Sequence, residues 1–240
     1  MKVLINDANE RFRRSQALNS STGLEVAGFD KVVSFSPRDI DRGFYEANQA
    51  ILRETRGNGY WLWKPYFIKQ ALDAVDDGDY VFYSDSGSHF LSSIDPLIEV
   101  SVDARQDLIC FQLHGLIEKD WTKRDAFVLM NCDGPEYANT MQRLASFSLW
   151  RKSTFTVDLV EEYLRYSQDE RIITDIENRC GLDHYPGFRD HRHDQSVFSL
   201  LTKKHGLIPH RDPSQWGDPV KSFYPDSPYD TLIAHTRDRD

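Results

Sequence analysis

The segment Gly78 to Gly87 (GDYVFYSDSG) constrains this chain most, because an apolar run of β-branched and aromatic residues stops there in turn chemistry. Tyr80 to Tyr83 suits the inside of a sheet, and Ser-Asp-Ser-Gly ends the strand. In an open α/β sheet, ligands gather at the carboxyl ends of strands, which is where Asp85 falls. A carboxylate there suits magnesium or manganese, and such a cation in turn suits a diphosphate. The alternative is an Asx-turn carboxylate that only stops the strand.

The flanking sequence alternates strands and helices. Val3 to Ile5 reads as a strand, followed by a polar loop over Asn6 to Asn9 and a helix from about Glu10 to Ala27, weakened by Ser20 to Gly23. Lys31 to Phe35 is a second strand, and Ser36-Pro37-Arg38-Asp39 opens a helix running through about Glu54. Arg56-Gly57-Asn58-Gly59 needs unusual backbone angles at its glycines. Pro65 suits a helix start, after which Phe67, Ile68, Ala71, Leu72 and Val75 recur on one helix face.

Downstream, the pattern predicts a helix over Ile94 to Val102, a strand over Leu108 to Leu113, a helix around Thr122 to Met130 and a half-buried strand over Leu144 to Trp150. Thr154 is the expected cap of a helix with Phe155, Leu159, Val160, Tyr163 and Leu164 on one stripe. After a polar loop from Cys180 to His193, Asp194 begins a helix with Val197, Leu200 and Leu201 inward and Gly206 as its stop. The chain is then Pro-rich to Pro228 and ends in an apolar run, Thr231 to His235. This alternation predicts an α/β fold, a doubly wound and mostly parallel sheet, with residues 1–240 as a single domain.

Composition narrows the function. A net charge of -9 opposes nonspecific attraction to nucleic acid or to an anionic membrane surface. The N-terminal apolar run is three residues long, far short of a signal peptide or a membrane span. Cys110, Cys132 and Cys180 form neither a disulfide framework nor a CxxC pattern, so they read as reduced thiols of a cytoplasmic protein, two of them in or near the core.

No GxGxxG follows the first strand, and no GxxxxGK[ST] or GxSxG occurs. Three separated signals remain. Tyr60 to Tyr66 (YWLWKPY) sets Trp61, Trp63 and Lys64 before a helix: the rings stack on a base or sugar, or pack as core, and Lys64 at a helix N-terminus favours an anion. Asp85 is the second signal. In His191-Arg192-His193-Asp194-Gln195, Asp194 or Gln195 lies beside a reacting sugar carbon, or Asp194 is a helix cap; the two roles are compatible. His184, His191 and His193 are a further candidate for a zinc or iron site, without an HExxH pattern to back it. His235 is either a surface residue or the completion of a metal shell begun by Asp85.

Together, GYWLWKPY at Gly59 to Tyr66, YSDSG at Tyr83 to Gly87 and HRHDQSVFSLL at His191 to Leu201 resemble the segments of nucleotide-sugar-dependent glycosyltransferases of the GT-A fold, of the kind found in capsular and surface polysaccharide clusters. The resemblance covers about Arg56 to Gln195. It implies a hexosyltransferase-like enzyme that takes a nucleoside diphosphate sugar, a UDP-sugar favoured, and a saccharide or lipid-linked acceptor, with Mn2+ or Mg2+ as cofactor. It further implies a cytoplasmic protein, peripheral at the inner membrane face if it works there.

By position, Asp85 would touch the metal with His235, and Asp194 and Gln195 the reacting sugar. Trp61, Trp63, Lys64, Ser86, Gly87 and His193 would join Asp85 around the donor. Asp85-Ser86-Gly87 lacks the second carboxylate of a full Asp-x-Asp. The Asp-Gln pair is similar to that of retaining enzymes, without fixing the stereochemical outcome. Two other classes stay open: a noncatalytic nucleotide- or sugar-binding module, and a metal-dependent phosphohydrolase.

Overall fold

The computed structural model describes residues 1–236. Its strands are β1 (Lys2–Asp7), β2 (Lys31–Phe35), β3 (Tyr80–Ser84), β4 (Ser88–Phe90), β5 (Leu108–Ile117), β6 (Met141–Arg151), β7 (Pro209–Arg211) and β8 (Ile233–His235). Six of them form one sheet in the order β2-β1-β3-β6-β5-β7, and β4 pairs with β8 in a small second sheet. The pairs β1–β2, β1–β3 and β5–β7 are parallel, whereas β6 is antiparallel to both β3 and β5. The sheet is therefore mostly parallel, as expected, with β6 reversed at its centre.

Alternate residues of the strands feed two cores. Val3, Ile5, Val81 and Tyr83 pack on one face against the helices Trp63–Asp73, Thr154–Ser167 and His193–Lys204. Leu4, Phe82, Ile109 and Leu149 pack on the other with Leu97 and Val100 of the helix Asp95–Ala104. A sheet covered on both faces explains why β3 reads as a continuous apolar run. It also corrects the half-buried reading of Leu144 to Trp150: over that stretch β6 is buried on both faces except at Ser146, because it lies between β3 and β5.

Helix boundaries shift where side chains offer better caps. The first helix is Arg13–Glu25, entered through a 3-10 turn at Glu10–Phe12 that Asn9 caps. Ser36 and Asp39 form a reciprocal capping box on a 3-10 turn, and the expected long helix breaks into Arg42–Ala47 and Gln49–Leu52. Thr122 is extended, so that stretch divides into Glu118–Trp121 and Arg124–Leu129. Ser153, not Thr154, caps the next helix, since its hydroxyl accepts from Thr156 N; Phe155 in the first turn is 38% exposed rather than inward. Cys110 and Cys132 are buried and Cys180 is partly exposed.

The C-terminal apolar run becomes β8, which holds β4 against the core. Leu232 and Ile233 are buried beside Phe90, and Thr236 N donates to Gly87 O at 3.0 Å, tying the run to the turn after Asp85. Truncating a fully buried isoleucine removes its transfer energy and leaves a cavity. Ile233→Ala is therefore expected to cost about 2–5 kcal/mol in chemical denaturation. A loss under about 0.5 kcal/mol, the range of ordinary surface substitutions, would show that β8 is not part of the cooperative core.

Candidate active site

The parity that splits the sheet into two cores also places the candidate carboxylates. Residues 81 and 83 face the helices that carry Lys64 and Asp194, and continuing that alternation past the strand end directs Asp85 the same way. Asp85 N donates to Ser146 O at 2.9 Å, which fixes the turn against the reversed strand β6.

Lys64 joins the pieces. Its ammonium lies 2.6 Å from Asp194 Oδ2 and 3.5 Å from Asp85 Oδ1, and it donates to Ala145 O at 3.1 Å. The Lys64 and Asp194 side chains are 4% and 6% exposed, whereas Asp85 is 36% exposed. The aromatic face of Tyr83 sits 5.0 Å from the ammonium, and the Tyr83 hydroxyl donates to Asp85 Oδ1 at 2.7 Å. Burial disfavours the Lys64 charge, yet the facing Asp194 and Asp85 carboxylates leave its pKa above the ordinary lysine value. For Asp194 burial dominates, and although Lys64 opposes it, the carboxyl is raised to about 6.

Asp194 is thus not the helix cap. The helix His193–Lys204 has Arg192 at its N-cap position with no side-chain cap bond, and Asp194 in the first turn faces the Lys64 ammonium. Gln195 Nε2 donates to Gln142 Oε1 of β6 at 2.9 Å.

Two cavities meet over this cluster. One, of about 560 Å³, is lined by Asp7, Arg11, Trp61, Trp63, Tyr83, Asp85, Ser86, Gly87 and His235 among others. The other, of about 350 Å³, is lined by Arg56, Lys64, Asp85, His193, Asp194 and Gln195 among others. Trp61, Asp85 and Ser146 belong to both. The expected site residues are therefore brought to one place from four stretches of chain. Their exposures differ from a simple stacking picture. Trp63 is 7% exposed, packs in the core and donates from Nε1 to Gly57 O at 3.1 Å; Trp61 is the more open ring. Lys64 directs itself at two carboxylates and a carbonyl and is not a free cation.

The aromatic turn is built by left-handed backbone: Gly57, Asn58, Gly59, Tyr60 and Trp61 all have positive φ, as does His193. Conformations of this kind cost of order 1–3 kcal/mol for a non-glycine residue and persist only where surrounding contacts enforce them. Here the Trp61 ring stacks on His193, with centroids 5.6 Å apart at 22°. His193 is buried beneath it and donates from Nδ1 to Ile173 O at 2.7 Å, because a carbonyl only accepts.

The histidines do not form a zinc or iron site. His191 Nδ1 accepts from Lys123 N at 3.2 Å and its Nε2 meets Ile172 O at 2.8 Å, so both ring nitrogens are used and burial holds the ring neutral. His184 stacks on Phe188 at 3.8 Å. Among the described residues no group of three or more His, Cys, Asp or Glu is arranged to hold a metal ion. Asp85 and His235 nevertheless line one cavity, and magnesium-type sites take only one or two protein carboxylates plus substrate oxygens. Any cation held by those two residues would need further oxygens from a ligand to fill its shell.

Asp7, Tyr83 and Gln142 were missed from the sequence. Asp7 ends β1 as Asp85 follows β3, so the strand-end rule applied to KVLIND would have found it. Its Oδ1 is buried with no hydrogen-bond partner among the described residues. Burial, then Asp39 and Asp85, push its carboxyl up to about 7, against the pull of Lys64.

Solved structures share this architecture. Mouse xyloside xylosyltransferase 1 superposes with a TM-score of 0.50 and 12% identity, covering 98% of this chain and 97% of that one. The bifunctional glycosyltransferase WbbM gives a TM-score of 0.46 and 10% identity over 84% of this chain and 37% of its own length. No protein-family model matches, and neither does any curated sequence. The fold is of the GT-A type.

The Asp7 carboxyl gives a test by pH. Its pKa is raised in the folded state, so the stability tied to its proton is present in acid and is lost as pH rises through about 7. Asp7→Asn mimics the protonated group, and with chelator present its stability advantage over wild type should grow between pH 5 and 8. A difference that does not change with pH would show that Asp7 does not titrate in this range.

Proposed function

We propose that this chain is a single-domain glycosyltransferase that moves a sugar, a hexose by preference, from a nucleoside diphosphate sugar to a saccharide or lipid-linked acceptor. UDP is the favoured nucleotide and surface polysaccharide synthesis the favoured setting, in the cytoplasm or at the inner membrane face. No described helix is long and apolar enough to cross a membrane. One observation carries the reading: two cavities meet at Asp85, the larger lined by Trp61, Arg11 and His235 and the other holding Asp194 and Gln195, on a GT-A-type sheet.

In this reading the donor lies in the larger cavity with the open face of Trp61 against it, and its diphosphate passes between Arg11 and the Asp85 turn. Asp85 and His235 would hold a manganese or magnesium ion, whose chemistry is to neutralise charge on the leaving diphosphate. The sugar then projects past Asp85 into the smaller cavity. The bond from the anomeric carbon to the diphosphate breaks with its electron pair leaving on the diphosphate, an acceptor oxygen bonds to that carbon, and the hydroxyl proton passes to the departing diphosphate or to solvent. Asp194 is ionised above about pH 6, and its charge stabilises the positive charge developing on the sugar ring. Lys64 holds that carboxylate in place, and Tyr83 does the same for Asp85.

Incubation with manganese and a panel of nucleotide sugars tests the class. Release of a nucleoside diphosphate is expected; nucleoside monophosphate together with sugar phosphate would instead favour the phosphohydrolase, and binding without turnover the noncatalytic module. Manganese with UDP should raise Tm, and Asp85→Ala should abolish the metal-dependent part of that rise. Asp194→Asn keeps the shape of the side chain and removes its charge. It is expected to lower kcat by about 10²–10⁴ while nucleotide affinity stays within about threefold. Wild-type kcat in this variant would leave Asp194 as no more than a partner of Lys64.

A further inference from the structure

Beneath the smaller cavity, a buried chain of hydrogen bonds decides which end of the Gln195 carboxamide faces the ligand. It starts at Glu118, which is fully buried, 0% exposed. Thr122 Oγ1 and Gln142 Nε2 donate to its Oε1 at 2.5 and 3.1 Å, and Ser199 Oγ and Lys203 Nζ donate to its Oε2, the lysine at 2.6 Å. A carboxylate held by an ammonium accepts only. Gln142 must therefore turn its NH2 toward Glu118, leaving Oε1 at its other end. That oxygen accepts from Gln195 Nε2 at 2.9 Å. The Gln195 NH2 is thus engaged on the protein side, and its Oε1 is the end left for the cavity that Gln195 lines.

We propose that Gln142 is a positioning residue, and that the one-way chain Lys203–Glu118–Gln142–Gln195 presents Gln195 to the sugar as a hydrogen-bond acceptor, not a donor. An acceptor at this place takes a sugar hydroxyl or faces positive charge developing at the reacting carbon. It does not bind a phosphate oxygen, which is itself an acceptor. Two features make the polarity robust. Gln142 is fully buried, so water cannot rescue a reversed amide, and its Nε2 also lies 3.3 Å from Ser196 Oγ and 3.4 Å from Thr122 Oγ1. Reversal would set the Gln142 oxygen against the Glu118 carboxylate, leaving two buried acceptors facing each other.

The role of the acceptor in sugar transfer rests on the glycosyltransferase reading, whereas the polarity of the chain does not, so the test reads both on the full chain. The Gln195 side-chain amide signals in a 15N spectrum are identified by their loss in Gln195→Glu. In wild type they are expected to exchange with solvent at least about tenfold more slowly than a free amide, and in Gln142→Leu to lose that protection. Donor turnover in Gln142→Leu is expected to fall about 10- to 100-fold, with the KM for the donor within about twofold.

Val100→Ala, a truncation in the core on the opposite face of the sheet, should lower stability and keep wild-type kcat. An unprotected Gln195 amide in the wild-type protein overturns the proposal whatever the turnover. Wild-type kcat in Gln142→Leu overturns it too, as does a parallel loss of kcat and donor affinity that Val100→Ala reproduces at equal Tm. A wild-type protein that turns over no nucleotide sugar refutes the glycosyltransferase reading alone, and amide protection then decides the chain.

Discussion

The buried ammonium of Lys64 is the constraint on which the rest of the site depends. A charge taken out of water costs several kcal/mol unless partners replace its hydration, and here the replacements come from three separate parts of the chain. Asp194 begins one helix, Asp85 follows β3 and the Ala145 carbonyl belongs to β6. Asp194, the closest at 2.6 Å, cannot move away without leaving Lys64 short of its nearest counter-charge. Breaking such a pair by removing one partner typically costs about 3–5 kcal/mol, more than one cap or one surface ion pair supplies. The lysine thereby converts three tolerant surface features, a strand end, a helix start and a strand carbonyl, into one rigid junction.

Two irregularities follow from that requirement. The first is the run of left-handed residues from Gly57 to Trp61, which turns the chain sharply enough to bring Lys64 in at the start of its helix. Gly59 cannot be replaced cheaply, since a Cβ there would lie 2.8 Å from Leu52 Cα. The second is the reversal of β6. In a wholly parallel sheet every neighbour of β3 would bring its carboxyl end to the site; the antiparallel pairing instead sets Phe147 opposite Ser84, so the first half of β6 supplies Ala145, Ser146 and Gln142. The strand thus lends backbone carbonyls and a buried amide where a parallel neighbour would have ended in a loop.

Periodicity made the frame legible because burial on two faces leaves continuous apolar strands and clear helix stripes: β3, the Trp63–Asp73 helix and the inward set Val197, Leu200 and Leu201 all follow from it. What it did not reveal was decided by tertiary partners. Asp194 looks like a cap in sequence, since local chemistry offers it only its own helix, and Lys64 looks like an anion site for the same reason. Each is the answer to the other, 130 positions apart, and no local rule pairs them. β7 and β8 are too short to carry a period, and the reversal of β6 has no signature in its own residues. Asp7 is a different case, because the strand-end rule that selected Asp85 applies equally to β1.

Charge across the junction orders what a ligand has to bring. Asp85 and Asp194 share the single buried ammonium of Lys64, and nearby Asp7 is raised to about 7 by burial first and then by Asp39 and Asp85, against the pull of Lys64. Such a field opposes an anion and favours positive charge. In the proposed reading, the smaller cavity would suit a sugar carbon that becomes positive as its bond opens, with Asp194 and the Gln195 oxygen facing it as acceptors. At the larger cavity the same field would repel a diphosphate. Arg11 sits on that side, and Asp85 and His235 line it, where the proposed reading would have them share a cation with the leaving group. On the proposed reading, the two cavities divide the donor by charge at Asp85, a residue common to both and the more exposed of the two carboxylates that Lys64 holds.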